Sequence, residues 1–71
     1  MNEHIKVYSK TELALLYLPD MKPATARRNL REWIDANKEL TGELEKSGYR
    51  RNNTRFTPHQ VSLIFKYLGE P

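Results

Sequence analysis

Residues 9–36 read SKTELALLYLPDMKPATARRNLREWIDA. The stretch opens on Ser9, with Glu12 three residues on. This is a reciprocal cap: the Ser9 hydroxyl accepts from the Glu12 amide, and the Glu12 carboxylate reaches back to the Ser9 amide. A helix is expected over residues 10–17, with Leu13, Leu16 and Tyr17 on one face. Pro19 disfavours helical backbone at Leu18 and ends it. Pro23 suits a first helical position, where no N–H is needed and φ is already helical. A second helix over residues 23–36 puts Ala26, Leu30, Trp33 and Ile34 on one apolar face, and Trp33, the largest, is expected to anchor the core. Arg28, Arg31 and Asp35 lie roughly opposite, with Arg27 at the margin. Ala14 is small enough to let the two helices approach closely. A capped short helix, a turn, and a second helix that opens on Pro and carries three Arg is the order of a helix-turn-helix.

Reading outward, residues 4–8 alternate apolar and polar and are expected to be extended. Asn37 can cap a third helix over residues 38–47, with Leu40 and Leu44 as its stripe and Gly48 as its stop. Gly42 in its middle costs up to about 1 kcal/mol. Residues 49–56 carry aromatic ends around Asn52-Asn53, the pattern of a tight β-hairpin or an arm. Thr57-Pro58-His59-Gln60 is a second reciprocal cap, opening a fourth helix that Gly69 stops after Leu68. Val61, Ile64, Phe65 and Leu68 share one face of it. Leu63 and Tyr67 widen the apolar arc to roughly 200°, where roughly 100° is the usual minimum. These two residues either cover the hairpin or form an exposed strip, and a weak two-fold homodimer through Leu63 and Tyr67 is expected. The fold class expected is all-α: a single four-helix domain over residues 1–71, built on a helix-turn-helix, with a short β-hairpin or arm near residues 49–56.

Composition removes most catalytic chemistry. The 71 residues include no Cys and only His4 and His59, so no thiol nucleophile and no obvious metal site are expected. Capping accounts for Ser9 and Thr57. Glu39, Glu43 and Glu45 read as a solvated helix face. With Gly42, Gly48 and Gly69 as the only glycines, there is no phosphate-binding Gly-rich loop. No nucleophile, base and orienting group assemble, so the chain is expected not to be an enzyme and to need no cofactor. The longest apolar run, residues 13–18, is too short to span a membrane. Met1-Asn2-Glu3-His4 lacks the basic and apolar stretches of a signal peptide, so a cytoplasmic location is expected.

Charge carries the functional expectation. Lys+Arg number 12 against nine Asp+Glu, a net charge of +3. The surplus sits in two places. Residues 21–36 hold Lys22, Arg27, Arg28 and Arg31 against Glu32 and Asp35, and residues 49–56 hold Arg50, Arg51 and Arg55 unopposed. Arg makes bidentate contacts to phosphate and guanine that Lys does not. Double-stranded DNA is therefore the expected partner, for a regulatory module of transcription or of a mobile element. Lys22 and Thr25 begin the recognition helix, Arg27, Arg28 and Arg31 reach base edges or phosphates, and Arg50, Arg51 and Arg55 form a basic wing or arm. The alternative is a protein-interaction adaptor with the same fold, in which Arg28–Glu32 and Arg31–Asp35 are simply i,i+4 ion pairs on a solvated face.

Two resemblances rest on these residues. Tyr8 through Ala14, Tyr17, Pro19, Leu30, Trp33-Ile34, Leu44, Gly48-Tyr49, Phe56-Thr57-Pro58, Gln60-Val61 and the ending Tyr67 through Pro71 resemble the small proteins of Bacteroides and relatives grouped as domain-of-unknown-function family 4248. That resemblance implies a source and no activity. Over residues 10–56 the chain is more loosely similar to winged helix-turn-helix domains of the mercury-resistance-regulator type. There too a Glu-Leu-Ala helix precedes a recognition helix ending in a Trp-Ile-like pair, and a basic wing follows. The chain differs in that Ala14 to Ala26 is about two residues longer than the compact spacing and contains Pro19. It also lacks the long dimerisation helix of those regulators.

Overall fold

Three of the four helices begin where a side chain closes the first turn. The computed structural model describes residues 6–71, in the order β1 (Tyr8–Ser9), α1 (Lys10–Tyr17), α2 (Pro23–Ala36), α3 (Lys38–Lys46), β2 (Arg55–Phe56) and α4 (Pro58–Leu68). At α1 the Glu12 amide donates to Ser9 Oγ over 3.0 Å, and the Ser9 amide donates to Glu12 Oε1 over 2.9 Å. At α4 Thr57 and Gln60 make the same exchange. Asn37 caps α3 through the Leu40 amide. Helix α2 differs: Pro23 is its first residue, and Lys22 before it gives no side-chain cap.

One core joins all the elements. Leu13 and Ala14 of α1, Ala26, Leu30 and Ile34 of α2, Leu40 and Leu44 of α3, and Val61, Ile64 and Phe65 of α4 are buried together with Tyr8 and Phe56 of the strands. Helices α1 and α2 make the most extensive contact. Ala14 and Ala26 are both fully buried, as a close approach of these helices requires. Among the described residues the structure thus has the four helices expected, and a mainly α fold with one small sheet.

That sheet decides between the hairpin and the arm expected at residues 49–56. They do not fold back on themselves as a hairpin. β2 pairs antiparallel with β1, Tyr8 opposite Phe56 and Ser9 opposite Arg55, so residues 49–56 form an arm that returns to the start of the chain. The extended segment expected at residues 4–8 is seen as strand at Tyr8, and its first two residues lie outside those described. Helix α3 stops at Lys46, one residue early, because Ser47 serves as its C-cap and its hydroxyl donates to the Leu44 carbonyl.

Two side chains differ from expectation. Trp33 is 40% exposed. Ala26, Leu30 and Ile34, four apart, mark the centre line of the buried face, and Trp33 falls about 60° to one side of it. There its ring meets Tyr17 edge-on, with centroids 6.1 Å apart. Leu63 is only 9% exposed and belongs to the core, which corrects the premise of an exposed dimer strip. Helix α4 is packed by α3, by β2 and by Tyr17 of α1 against Phe65, so its wide apolar arc is used within the chain. Tyr67 is half-buried, with the Lys66 ammonium over its ring.

Candidate functional site

The arm and α2 enclose a groove, and local chain geometry decides where the arm runs. At the end of α3 the Tyr49 amide donates to the Leu44 carbonyl and the Gly48 amide to the Glu45 carbonyl. This pair of bonds reverses the chain, with the left-handed φ of +93° at Gly48 that a side chain would resist. A turn closed by the Asn53 amide on the Arg50 carbonyl follows. The arm is then pinned to α1: the Lys10 amide donates to the Thr54 carbonyl, and Lys10 Nζ donates to the Arg51 carbonyl over 2.6 Å.

The resulting groove has a volume of about 450 Å³. Leu30 and Ile34 of α2 and Phe56 of β2 contribute apolar lining, and Lys10, Arg27, Arg28, Arg31 and Arg51 contribute five cations. Among the described residues, no Asp or Glu lines it. Tyr49 stacks on Phe56 at 5.2 Å and 22°, and the Lys10 ammonium lies 5.1 Å from the Tyr49 ring centre. A second, adjoining groove of about 610 Å³ shares Arg31, Ile34, Tyr49 and Arg51 with the first, and adds Arg50 together with Asp35 and Glu45. Arg51 Nη2 bonds Asp35 Oδ2 over 2.7 Å at this junction. Among the described residues, the other ion pair given by the geometry is Lys46–Glu43. The helical pairs Arg28–Glu32 and Arg31–Asp35 do not form, and Asp35 turns to the arm instead.

The expected site residues therefore divide. Arg27, Arg28, Arg31 and Arg51 come together in the basic groove, and Arg50 lines its neighbour. Lys22, Thr25 and Arg55 line neither. Lys22 is exposed and Thr25 half-buried in the approach to α2. Arg55 sits opposite Ser9 on the sheet, near Glu12. The Glu12 carboxyl is held below its ordinary value of 4.5, first by the Ser9 amide and then by the Ser9 hydroxyl, with Lys6 and Arg55 adding their charge. Sequence reasoning missed Lys10. It lies in a net-acidic segment, and only the β1–β2 pairing lays the arm across it.

The chemistry this arrangement offers is recognition of anions. Guanidinium groups on one helix flank and one arm present planar donors of the kind that pair with anionic oxygens. Among the described residues no cluster of His, Cys, Asp or Glu can hold a metal ion, and no helix is long and apolar enough to cross a membrane. No curated protein and no solved structure matches the chain. Residues 4–71 match the family described as a domain of unknown function (DUF4248), and the chain belongs to that family.

Proposed function

We propose that this chain is a non-enzymatic module that binds double-stranded DNA, with α2 presented to the duplex and the arm gripping the backbone beside it. The observation that carries the reading is the groove between α2 and the arm, which among the described residues is lined by five cations and no acid. A polyphosphate backbone is the ligand class that rewards such a lining, because each neutralised phosphate releases condensed counterions. Duplex is favoured over single strand by the state of Tyr49. Phe56 stacks on the ring and Lys10 lies over it, so the ring is already engaged within the chain and is a poor platform for an unstacked base. The helix-turn-helix order of the sequence supports a regulatory role. The alternative, a protein-interaction adaptor, draws on a different surface, the shallow depression where half-exposed Trp33 lies with Tyr67 and Leu68.

The test separates groove from surroundings. Replacing Arg28 and Arg31 together by Gln is expected to weaken duplex binding more than tenfold and to make the log–log salt dependence shallower by about 2. Arg55→Gln, outside the groove, is expected to change affinity little. Equal losses from both would dissolve the groove as the site. Duplex binding unchanged by the double substitution, with a protein partner lost on Trp33→Ala, would establish the adaptor.

A further inference from the structure

We infer that Asp35 acts as a built-in competitor for backbone phosphate, holding Arg51 until a duplex displaces it. The inference rests on the DNA reading above and concerns how the groove is completed. Arg51 is the cation shared by the two grooves whose guanidinium is already engaged. Its partner is a carboxylate oxygen at 2.7 Å, the distance and chemistry of a phosphate oxygen on the same nitrogen. Asp35 lines the adjoining groove and not the basic one, so the carboxylate engages Arg51 from outside the lining that Arg51 shares with Arg27, Arg28 and Arg31.

The pair is built to open. Its side chains are 68% and 41% exposed, so water screens it and it holds weakly. Meanwhile the backbone of Arg51 stays fixed, because Lys10 Nζ donates to its carbonyl. Releasing the guanidinium therefore does not release the arm. A phosphate arriving in the basic groove takes the place of Asp35 on Arg51, and the carboxylate turns to solvent.

The test uses fluorescence anisotropy with a short mixed-sequence duplex, between about 50 and 200 mM salt. Four proteins are compared: the wild type, Asp35→Asn, Arg51→Gln and the double variant. Exchange predicts that Asp35→Asn binds about two- to fivefold tighter, the range an exposed ion pair accounts for. The salt slope of Asp35→Asn should equal that of the wild type, since Arg51 meets phosphate in both. Arg51→Gln should flatten the slope by about 0.9, and on that background Asp35→Asn should give a smaller gain. Asp35→Asn binding that is unchanged or weaker, with the thermal midpoint preserved, overturns the inference and makes Asp35 a strut for the arm. A slope steeper by about 0.9 in Asp35→Asn also overturns it, because Arg51 would then never leave Asp35 in the wild-type complex. Absence of duplex binding by all four proteins rejects the groove reading itself, and the exchange with it.

Discussion

Phe56 is 1% exposed and stacked on Tyr49, whereas Trp33, the larger ring, sits at the rim against Tyr17. Size alone ranks these residues wrongly, because truncation costs the surface returned to water plus the cavity left behind. Phe56→Ala is expected to cost about 3–5 kcal/mol and Trp33→Ala, which leaves no enclosed cavity, about 2 kcal/mol. Urea unfolding of both variants checks the order, and a Trp33→Ala loss equal to that of Phe56→Ala would place the indole in the core. Tyr17 gives a second residue-scale expectation. Burial, and then the charge of Glu70, pushes its phenol up to about 12, from an ordinary 10.0. Its hydroxyl donates to the Gly69 carbonyl. Between these two values the unfolded chain releases the phenolic proton and the folded chain keeps it. Stability from this group is therefore complete below pH 10 and declines as pH rises toward 12. Tyr17→Phe should show a flatter stability profile over that alkaline range, and an equally steep one would assign the decline to other groups.

At the scale of elements, the caps explain why so much of the helical layout is legible in the sequence. Ser9 with Glu12, Thr57 with Gln60, Asn37, Pro23 and Pro58 act within four residues of themselves, so their effect is written locally. The partner of residues 55–56 is not written locally. It lies far back in the chain at Tyr8 and Ser9, and two-residue strands carry no alternation from which to read it. Gln60 shows both sides. Its cap is legible, but its burial to 3% and its donation to Ser47 Oγ, which ties α4 to the end of α3, are not. Gln60→Ala should cost about 1–2 kcal/mol through the lost cap and the unpaired groups. Gly42 offers the opposite sign. It lies inside α3 with an ordinary φ, and a Cβ there meets nothing within 4 Å. Gly42→Ala should raise stability by up to about 1 kcal/mol, read as a higher urea midpoint at constant slope. A lowered midpoint would mean that α3 is not helical at Gly42 in solution.

For the whole molecule, the candidate site was half legible. Arg27, Arg28 and Arg31 share one flank of a helix whose period is plain in the sequence, and the basic run at 50–55 is plain by count. What spacing cannot give is the folding of the arm onto that flank. It follows from the reversal at Gly48 together with the strand pairing at Phe56, and it brings in Lys10 while leaving Arg55 outside. The long apolar arc of α4 misleads for a related reason: a helix packed from three sides in a small domain needs more than one face. We propose the five-cation groove as a phosphate-backbone site, and its cations should show in the salt dependence of duplex binding. A titration of the wild-type chain with mixed-sequence duplex DNA at several salt concentrations tests it most directly. Five phosphate contacts give a log–log slope near −4.5, a loss of about 10²- to 10³-fold in affinity between 50 and 200 mM salt. No duplex binding below about 100 μM at 50 mM salt, where even non-specific affinity is visible, would contradict it.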